Sequence, residues 1–274
     1  MTVVVAMLCD ECRSAIIASD RFVGSPDGSI AVEGPDSKIC GLGNHIMVAF
    51  SGAAPSDDLI DRMSKSVSDK RQVPEAAQSA RIAFCDAITE QRKLEALKLH
   101  GVKEEDFYEF LRGPSDEAKD VKQINPDTQF LLIGADDRCA HVFHIDGWDK
   151  IPQDCNRPGF GFACIGAGKY LATTVFIKHP DIKKKPLSEA LFWAFHAKQT
   201  ANDYNALVSK TTDMWVVRKG DDAPMMVRPE LVAKLRVIHD AMPRLTVPPD
   251  GVKTLEEIAN DIVARKPISA STKE

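Results

Sequence analysis

Directly after Met1 the chain opens on a continuous run of β-branched and apolar residues at positions 2–8, TVVVAML. β-Branched side chains favour extended backbone, because their χ1 freedom is restricted in a helix while they pack well on a pleated surface. A strand exposed on one face would alternate apolar with polar residues, and this run does not. The sequence therefore predicts a strand that is buried on both faces.

Strand and helix patterns further along the chain occur in separate groups. The predicted order is strands, two helices, strands, two helices and a final strand. Segregated groups of this kind favour an α+β layered sandwich over alternating βαβ units. A small-residue turn at 51–56 opens the first helix, with Ser56 as its N-cap, and residues 24–37 are predicted to be a loop because they are rich in Gly, Pro, Asp and Ser. The predicted strands are 2–8, 13–19, 38–42, 45–51, 129–134, 140–145, 160–165 and 213–218, and the later helices lie near 168–178 and 187–199.

Two regions are predicted from these patterns. Residues 2–220 form one domain that carries a charge-dense insertion at about 90–125. Residues 221–274 form a C-terminal helical extension, with one helix after Pro229 and another that opens at Thr254.

Composition narrows the function classes. A net charge of −5 argues against general nucleic-acid binding, which needs a basic face. Seven cysteines without regular spacing favour a reducing compartment over a disulfide framework. The first residues lack the basic region of a signal peptide, and no apolar run is long enough to cross a bilayer. A cytoplasmic protein without a membrane partner is expected.

Two motifs that resemble metal sites are set aside. Cys9 and Cys12 have CxxC spacing, but no second CxxC accompanies them. His141 and His144 lie three apart in a predicted strand, so they are expected to face opposite sides and not to share a metal. No cofactor and no metal are predicted.

One possible nucleophile follows from the second residue. If Met1 is removed, Thr2 carries a hydroxyl and a free α-amine, which together form a nucleophile and its base. An α-amine titrates at about 7.7–8, and a nearby cation such as Lys38 would lower that pKa further. Asp20 would hold the resulting ammonium in place. Taken singly, Asp20 is also plausible as a turn residue and Lys38 as a surface lysine.

The order of these residues resembles a known family. The chain is similar to the opening of proteasome β-type subunits and their bacterial relatives over residues 2–67, and more weakly over 129–217. The fragments that carry the resemblance are Thr2-Val3-Val4-Val5, Ile17-Ala18-Ser19-Asp20, Ser37-Lys38-Ile39 and Ser51-Gly52-Ala53-Ala54.

The resemblance implies a set of functional residues. Thr2 would be the nucleophile, supported by Asp20 and Lys38. A backbone N–H of Ser51 or Gly52 would stabilise the oxyanion. Ser209 matches a further residue of the family's site.

Two positions depart from the family's pattern. The family usually has Ser where this chain has Ala167, and Asp where it has Ala206. Both family residues bond around the N-terminal amine or its attendant water. Their loss is expected to slow ordinary peptide hydrolysis.

The implied fold is the four-layer αββα sandwich of N-terminal nucleophile hydrolases, with the helical extension at its C-terminus. The implied activity is that of a threonine-type endopeptidase, a proteasome-like subunit of a homo-oligomeric ring that acts on peptides or unfolded proteins, with any ATPase partner unidentified. Two alternatives stay open: a transpeptidase or narrow amidase that uses the same threonine, and a non-catalytic structural ring subunit.

Overall fold

The computed structural model describes residues 2–24, 31–34, 37–43, 45–124, 128–147, 151–156, 160–179, 181–205 and 208–242. The chain divides into two units, residues 1–235 and 236–274, and only residues 236–242 of the second are described. The helix predicted at Thr254 lies outside the described residues. The predicted division at residues 220 and 221 stays a prediction.

Twelve β-strands lie in the described part of the chain. They are β1 (Val3–Cys9), β2 (Ser14–Ser19), β3 (Phe22–Gly24), β4 (Ala31–Glu33), β5 (Ile39–Gly43), β6 (Ile46–Ser51), β7 (Gln129–Ala135), β8 (Ala140–Ile145), β9 (Gln153–Asp154), β10 (Phe162–Gly166), β11 (Asp213–Arg218) and β12 (Met225–Met226).

Seven α-helices accompany them within the same described ranges. They are α1 (Asp57–Val67), α2 (Val73–His100), α3 (Phe107–Arg112), α4 (Asp116–Gln123), α5 (Lys169–Ile177), α6 (Leu187–Tyr204) and α7 (Pro229–Ala241). None of these helices combines the length and the apolar composition that a membrane span requires.

The strands form two five-stranded antiparallel sheets and a separate pair. The first sheet has the order β10-β1-β2-β11-β12, the second has the order β5-β6-β7-β8-β9, and β3 pairs with β4. Strands and helices are segregated along the chain, so the predicted α+β class is confirmed. The loop predicted at 24–37 is wrong in part, because Ala31–Glu33 pairs with Phe22–Gly24 through the backbone despite the turn-forming residues around it.

The first strand is buried along its whole length, as its composition predicted. Val3, Val5 and Met7 belong to the apolar cluster shared with α5 and α6. The alternate residues Val4 and Ala6 belong to a cluster shared with β6, β7 and β8 of the second sheet. Full burial of one such side chain contributes about 1.5–3 kcal/mol, so β1 is a main source of stability.

The second sheet has its own helical cover. Leu59, Met63 and Val67 of α1 and residues of α2 pack against Val48 and other apolar residues of β6, β7 and β8. The predicted N-cap of α1 is confirmed: Leu59 N donates a 3.2 Å hydrogen bond to the side-chain oxygen of Ser56.

The charge-dense stretch at 90–125 is helical in the described residues. α2 runs through to His100 and ends at Gly101, whose φ of +61° is a left-handed C-cap. α3 and α4 then pack back on α2 through a small cluster centred on Ala96, Phe107 and Val121. The predicted surface excursion therefore has an apolar core of its own.

Candidate functional site

The ends of three strands bring the candidate residues together. Thr2 directly precedes β1, Asp20 directly follows β2 and Lys38 directly precedes β5. Because β1 and β2 are antiparallel, with Val4 opposite Ser19, the start of one strand lies beside the end of the other. Thr2 is 5% exposed, Asp20 is 0% and Lys38 is 6%, so none of the three is a surface residue.

The three side chains form a closed hydrogen-bonded triangle. The Thr2 hydroxyl donates a 2.5 Å hydrogen bond to Asp20 Oδ1. Lys38 Nζ donates to the same carboxylate oxygen at 3.0 Å and also donates to Thr2 Oγ1. A hydroxyl held between a cation and an anion is oriented, and negative charge developing on its oxygen is stabilised by the cation.

Burial changes the acidity of the lysine. Removal from water lowers the pKa of Lys38 below its ordinary 10.5, while the charge of Asp20 and their hydrogen bond act in the opposite direction. The net shift is downward. Lys38 therefore parts with its proton more readily than an exposed lysine does.

Ser209 contacts the site through its backbone N–H. Ser209 N donates a 3.1 Å hydrogen bond to Asp20 Oδ2. Its hydroxyl oxygen accepts a 3.0 Å hydrogen bond from Thr211 N, which closes a local turn. Both oxygens of the Asp20 carboxylate thus have partners, and Ser209 belongs to the support of the site.

The two predicted oxyanion residues take no part in the hydrogen bonds of this triangle. Ser51 is the last residue of β6 and is buried, and Gly52 follows with a φ of +91°. None of the hydrogen bonds that connect Thr2, Asp20 and Lys38 involves them. Their role stays a prediction.

A turn after β10 encloses the Thr2 carbonyl. Gly166 pairs with Val3 and has a φ of +87°, and a Cβ placed there would lie 2.2 Å from Thr2 O. Gly168 N donates a 3.4 Å hydrogen bond to that same oxygen. Glycine at position 166 is therefore required both by the backbone conformation and by the close approach. Ala167 lies between the two and is exposed, whereas Ala206 is outside the described residues.

A bidentate ion pair braces the neighbouring backbone. Arg21 Nε and Nη2 donate to the two carboxylate oxygens of Asp213 at 2.8 and 2.7 Å. Asp213 opens β11 and lies opposite Ser19. The pair ties the residue after Asp20 to the next strand of the sheet.

Three cysteines of the described residues are poor nucleophiles because burial raises the pKa of their thiols. Burial raises the pKa of Cys9 to about 12, which keeps the thiol protonated at neutral pH. Burial likewise raises the pKa of Cys155 to about 11 and that of Cys164 to about 12. These thiols do not offer the thiolate that a cysteine hydrolase needs.

Sequence reasoning missed a polar cluster at the turn that joins β7 to β8. Ligand atoms of Asp136, Cys139 and His141 lie within 4.8 Å of one another, a spacing that could hold a metal ion. His141 Nε2 is 3.0 Å from Asp136 Oδ2. Asp136 Oδ1 accepts hydrogen bonds from the backbone N–H groups of Arg138 and Cys139.

The neighbouring Asn156 indicates which ring nitrogen of His141 carries the proton. Its Oδ1 accepts from Val142 N at 3.2 Å and its Nδ2 donates to Ala140 O at 3.0 Å, which fixes the orientation of the amide. The same Nδ2 lies 3.2 Å from His141 Nδ1, so Nδ1 accepts and the ring proton is on Nε2, aimed at Asp136. A metal-bound imidazole would instead donate from Nδ1, so the cluster fits a hydrogen-bond network better than a metal site.

Comparison with known proteins shows the fold. No protein-family model matches the sequence, and no curated protein matches it. Among solved structures the chain is similar to Anbu (ancestral beta-subunit) from Yersinia bercovieri, with a TM-score of 0.59 and 14% sequence identity over 97% of this chain and 98% of that chain. The chain thus shares the fold of that solved structure, and its chemistry has to be argued from its own residues.

Proposed function

We propose that this chain is an N-terminal threonine hydrolase that cleaves amide bonds, a proteasome-like peptidase subunit. The observation that carries the proposal is the Thr2 hydroxyl, buried between the Asp20 carboxylate and the Lys38 ammonium. At an ordinary strand start no buried ion pair is expected, because taking two charged groups out of water costs free energy even when they are paired.

The mechanism begins with removal of Met1, which frees the α-amine of Thr2. The neutral amine accepts the hydroxyl proton as Oγ1 attacks the carbonyl carbon of the substrate. The amide C–N bond then breaks, the ammonium returns the proton to the leaving nitrogen, and an acyl ester remains on Oγ1. Water, deprotonated by the amine, adds to the ester, and loss of the carboxylic acid restores the hydroxyl.

The supporting residues have separate roles in this scheme. Lys38 favours the neutral amine by like-charge repulsion and stabilises the attacking oxygen. Asp20 orients the hydroxyl and holds the ammonium. A backbone N–H of Ser51 or Gly52 receives the oxyanion.

The proposal extends to the architecture and the assembly. A four-layer αββα sandwich places α5 and α6 outside the first sheet and α1 and α2 outside the second. Assembly into a homo-oligomeric ring in the cytoplasm would enclose Thr2 and limit access to peptides or unfolded proteins; an ATPase partner is left unassigned. Light scattering tests this part, since a stable 30 kDa monomer at micromolar concentration would contradict the ring and leave the chemistry standing.

One observation favours a second candidate within the same chemistry. Ala167 replaces the family's usual serine in the turn whose flanking glycines approach Thr2 O. Without that hydroxyl, water is held less firmly near the acyl ester. Resolution of the ester by an amine, as in a transpeptidase or narrow amidase, then competes better with hydrolysis. Ala167→Ser should raise the ratio of hydrolysis to aminolysis.

A peptide epoxyketone tests the proposed function. Its two electrophilic carbons close a ring with a hydroxyl and an α-amine on one residue, which Ser or Cys hydrolases with internal nucleophiles cannot do. Tandem mass spectrometry should locate the adduct on Thr2. Thr2→Ala should abolish it, and Thr2→Ser, which keeps both groups, should retain it. No adduct on a chain shown by intact mass to begin at Thr2 would overturn the proposal.

A further inference from the structure

Helix α6 buries two polar side chains next to each other. Lys198 is 0% exposed and Gln199 is 2% exposed, although most buried residues of this helix are Ala or Phe. Burial of a charged ammonium is unfavourable unless hydrogen-bond partners replace the lost water. The hydrogen-bond partners of these two residues therefore indicate their structural role.

Both side chains hold the segment that precedes β11. Lys198 Nζ donates to Ser209 O and, at 2.8 Å, to Thr211 O. Gln199 Nε2 donates at 3.0 Å to Lys210 O and at 3.0 Å to the side-chain oxygen of Thr212. Residues 209–212 are thus fixed, one after another, from a single turn of α6.

The same segment contacts the candidate site on its other side. Ser209 N donates to Asp20 Oδ2 at 3.1 Å, and a hydrogen bond from Thr211 N to Ser209 Oγ closes the turn. With Oδ2 held in this way, Oδ1 is the oxygen that remains for Thr2 and Lys38. A carboxylate with a free Oδ2 could rotate about χ2 and lose this alignment.

We propose that Lys198 and Gln199 form a clamp that positions Ser209 N–H, and through it the Asp20 carboxylate, for the reaction at Thr2. The inference rests on the proposed function, because the alignment matters only if Thr2 reacts. Both clamp residues are positioning residues, because the hydrogen bonds described above join them to residues 209–212 and act on Thr2 only through Asp20. The clamp explains why a helix that packs on the apolar core carries a lysine on its buried face.

The kinetics of epoxyketone labelling test the clamp, because they measure the inhibitor's binding constant and the first-order constant of its reaction separately. Lys198→Met keeps the length of the side chain and removes the donors. We expect its first-order labelling constant to fall at least tenfold while the inhibitor's binding constant stays within twofold of wild type. Lys198→Arg, which restores N–H donors, should recover part of the rate. Gln199→Met should show a smaller fall in the first-order labelling constant. If Lys198→Met does not fold, the constant measured for Gln199→Met tests the clamp in its place.

The control is Phe195→Leu, a change to a fully buried residue on the same helix whose side chain has no hydrogen-bond donor. If the labelling constant falls equally in Phe195→Leu and Lys198→Met at matched loss of thermal stability, the effect is general destabilisation and the clamp is refuted.

Hydrogen exchange separates the clamp from the proposed function. In Lys198→Met the amides of residues 208–213 should exchange faster, while those of β1 stay protected. Unchanged exchange at 208–213 would overturn the clamp whatever the labelling shows. Absence of labelling in the wild type would overturn the proposed function and with it the positioning role, while exchange would still decide whether the clamp holds the segment.

Discussion

Lys38 Nζ lies 3.0 Å from Asp20 Oδ1, and the two side chains are only 8% and 0% exposed. Such a pair is not evidence of large net stabilisation, because both charges lost their hydration when the chain folded. Its two members nevertheless depend on each other, since removal of one leaves the other buried and uncompensated.

Asp20→Ala should therefore lower the free energy of unfolding by about 3–5 kcal/mol at neutral pH, the usual cost of breaking a buried pair from one side. Urea unfolding followed by circular dichroism measures the loss. Asp181→Ala removes the partner of an exposed lysine and is the control; it should change the free energy by less than about 1 kcal/mol. Equal effects of the two changes would contradict the buried pair.

The pH dependence of labelling should respond to the same contact. Burial lowers the pKa of Lys38, and Asp20 raises it through its charge and a hydrogen bond. Asp20→Asn removes the charge, so the pKa of Lys38 should fall further below 10.5. If reaction requires the protonated lysine, the rate declines as pH rises through that pKa, and the decline should begin at lower pH in the variant.

Asp213→Asn is the matched control for this pH profile. Asp213 is a buried carboxylate near the site, but its ion pair is with Arg21. Its variant should leave the alkaline decline where the wild type has it. An unshifted decline in Asp20→Asn would show that Lys38 does not carry the effect.

The close approach of Gly166 to Thr2 O can be tested with a second glycine. Gly166 and Gly220 both have a φ of +87°, but a Cβ on Gly220 meets nothing within 4 Å. Gly220→Ala should cost about 1–2 kcal/mol, the penalty of left-handed backbone alone. Gly166→Ala should cost more and should also slow labelling of Thr2, because β10 must move away. Equal losses in thermal unfolding would contradict the steric account.

Much of this fold could be predicted from local patterns. The continuous apolar run of β1 and the segregated order of strands and helices predict the α+β class, because both can be recognised from local residue patterns along the chain. The short β4 was missed, since its pairing with β3 lies inside a sequence rich in turn formers.

The site was less accessible to sequence reasoning. Thr2, Asp20 and Lys38 lie 18 residues apart in succession. That spacing has no local periodicity, so only amine chemistry and the family resemblance connected them. Lys198 was missed because a lysine on a helix is ordinarily a solvent-exposed residue. The role of Ser209 depends on its backbone N–H, which no side-chain pattern can indicate.

The network at Asp136 predicts a structural role for acid stability. Burial alone would raise the pKa of Asp136, but backbone N–H groups of Cys139 and Arg138, with help from His141, hold it below 3.8. Since the folded pKa is depressed, the stabilisation is present above pH 3.8 and is lost as pH falls through the folded pKa. Asp136→Asn should cost about 1.5–3 kcal/mol at pH 7 and flatten the acid decline of stability.

The neighbouring Asp137 is exposed and serves as the control for that change. Asp137→Asn should change the free energy of unfolding by no more than about 0.5 kcal/mol. An acid unfolding curve for Asp136→Asn that parallels the wild type would contradict the role given to this carboxylate.

The measurement that most directly tests the central claim is the rate at which an epoxyketone labels Thr2 in Lys38→Met. The variant has to be confirmed as folded by its thermal unfolding and as processed to Thr2 by intact mass. Loss of the cation should slow labelling by about 100-fold or more, as removal of one stabilising group at a reacting oxygen does, while Lys38→Arg should keep a part of the rate. Labelling of folded Lys38→Met at the wild-type rate would contradict the account.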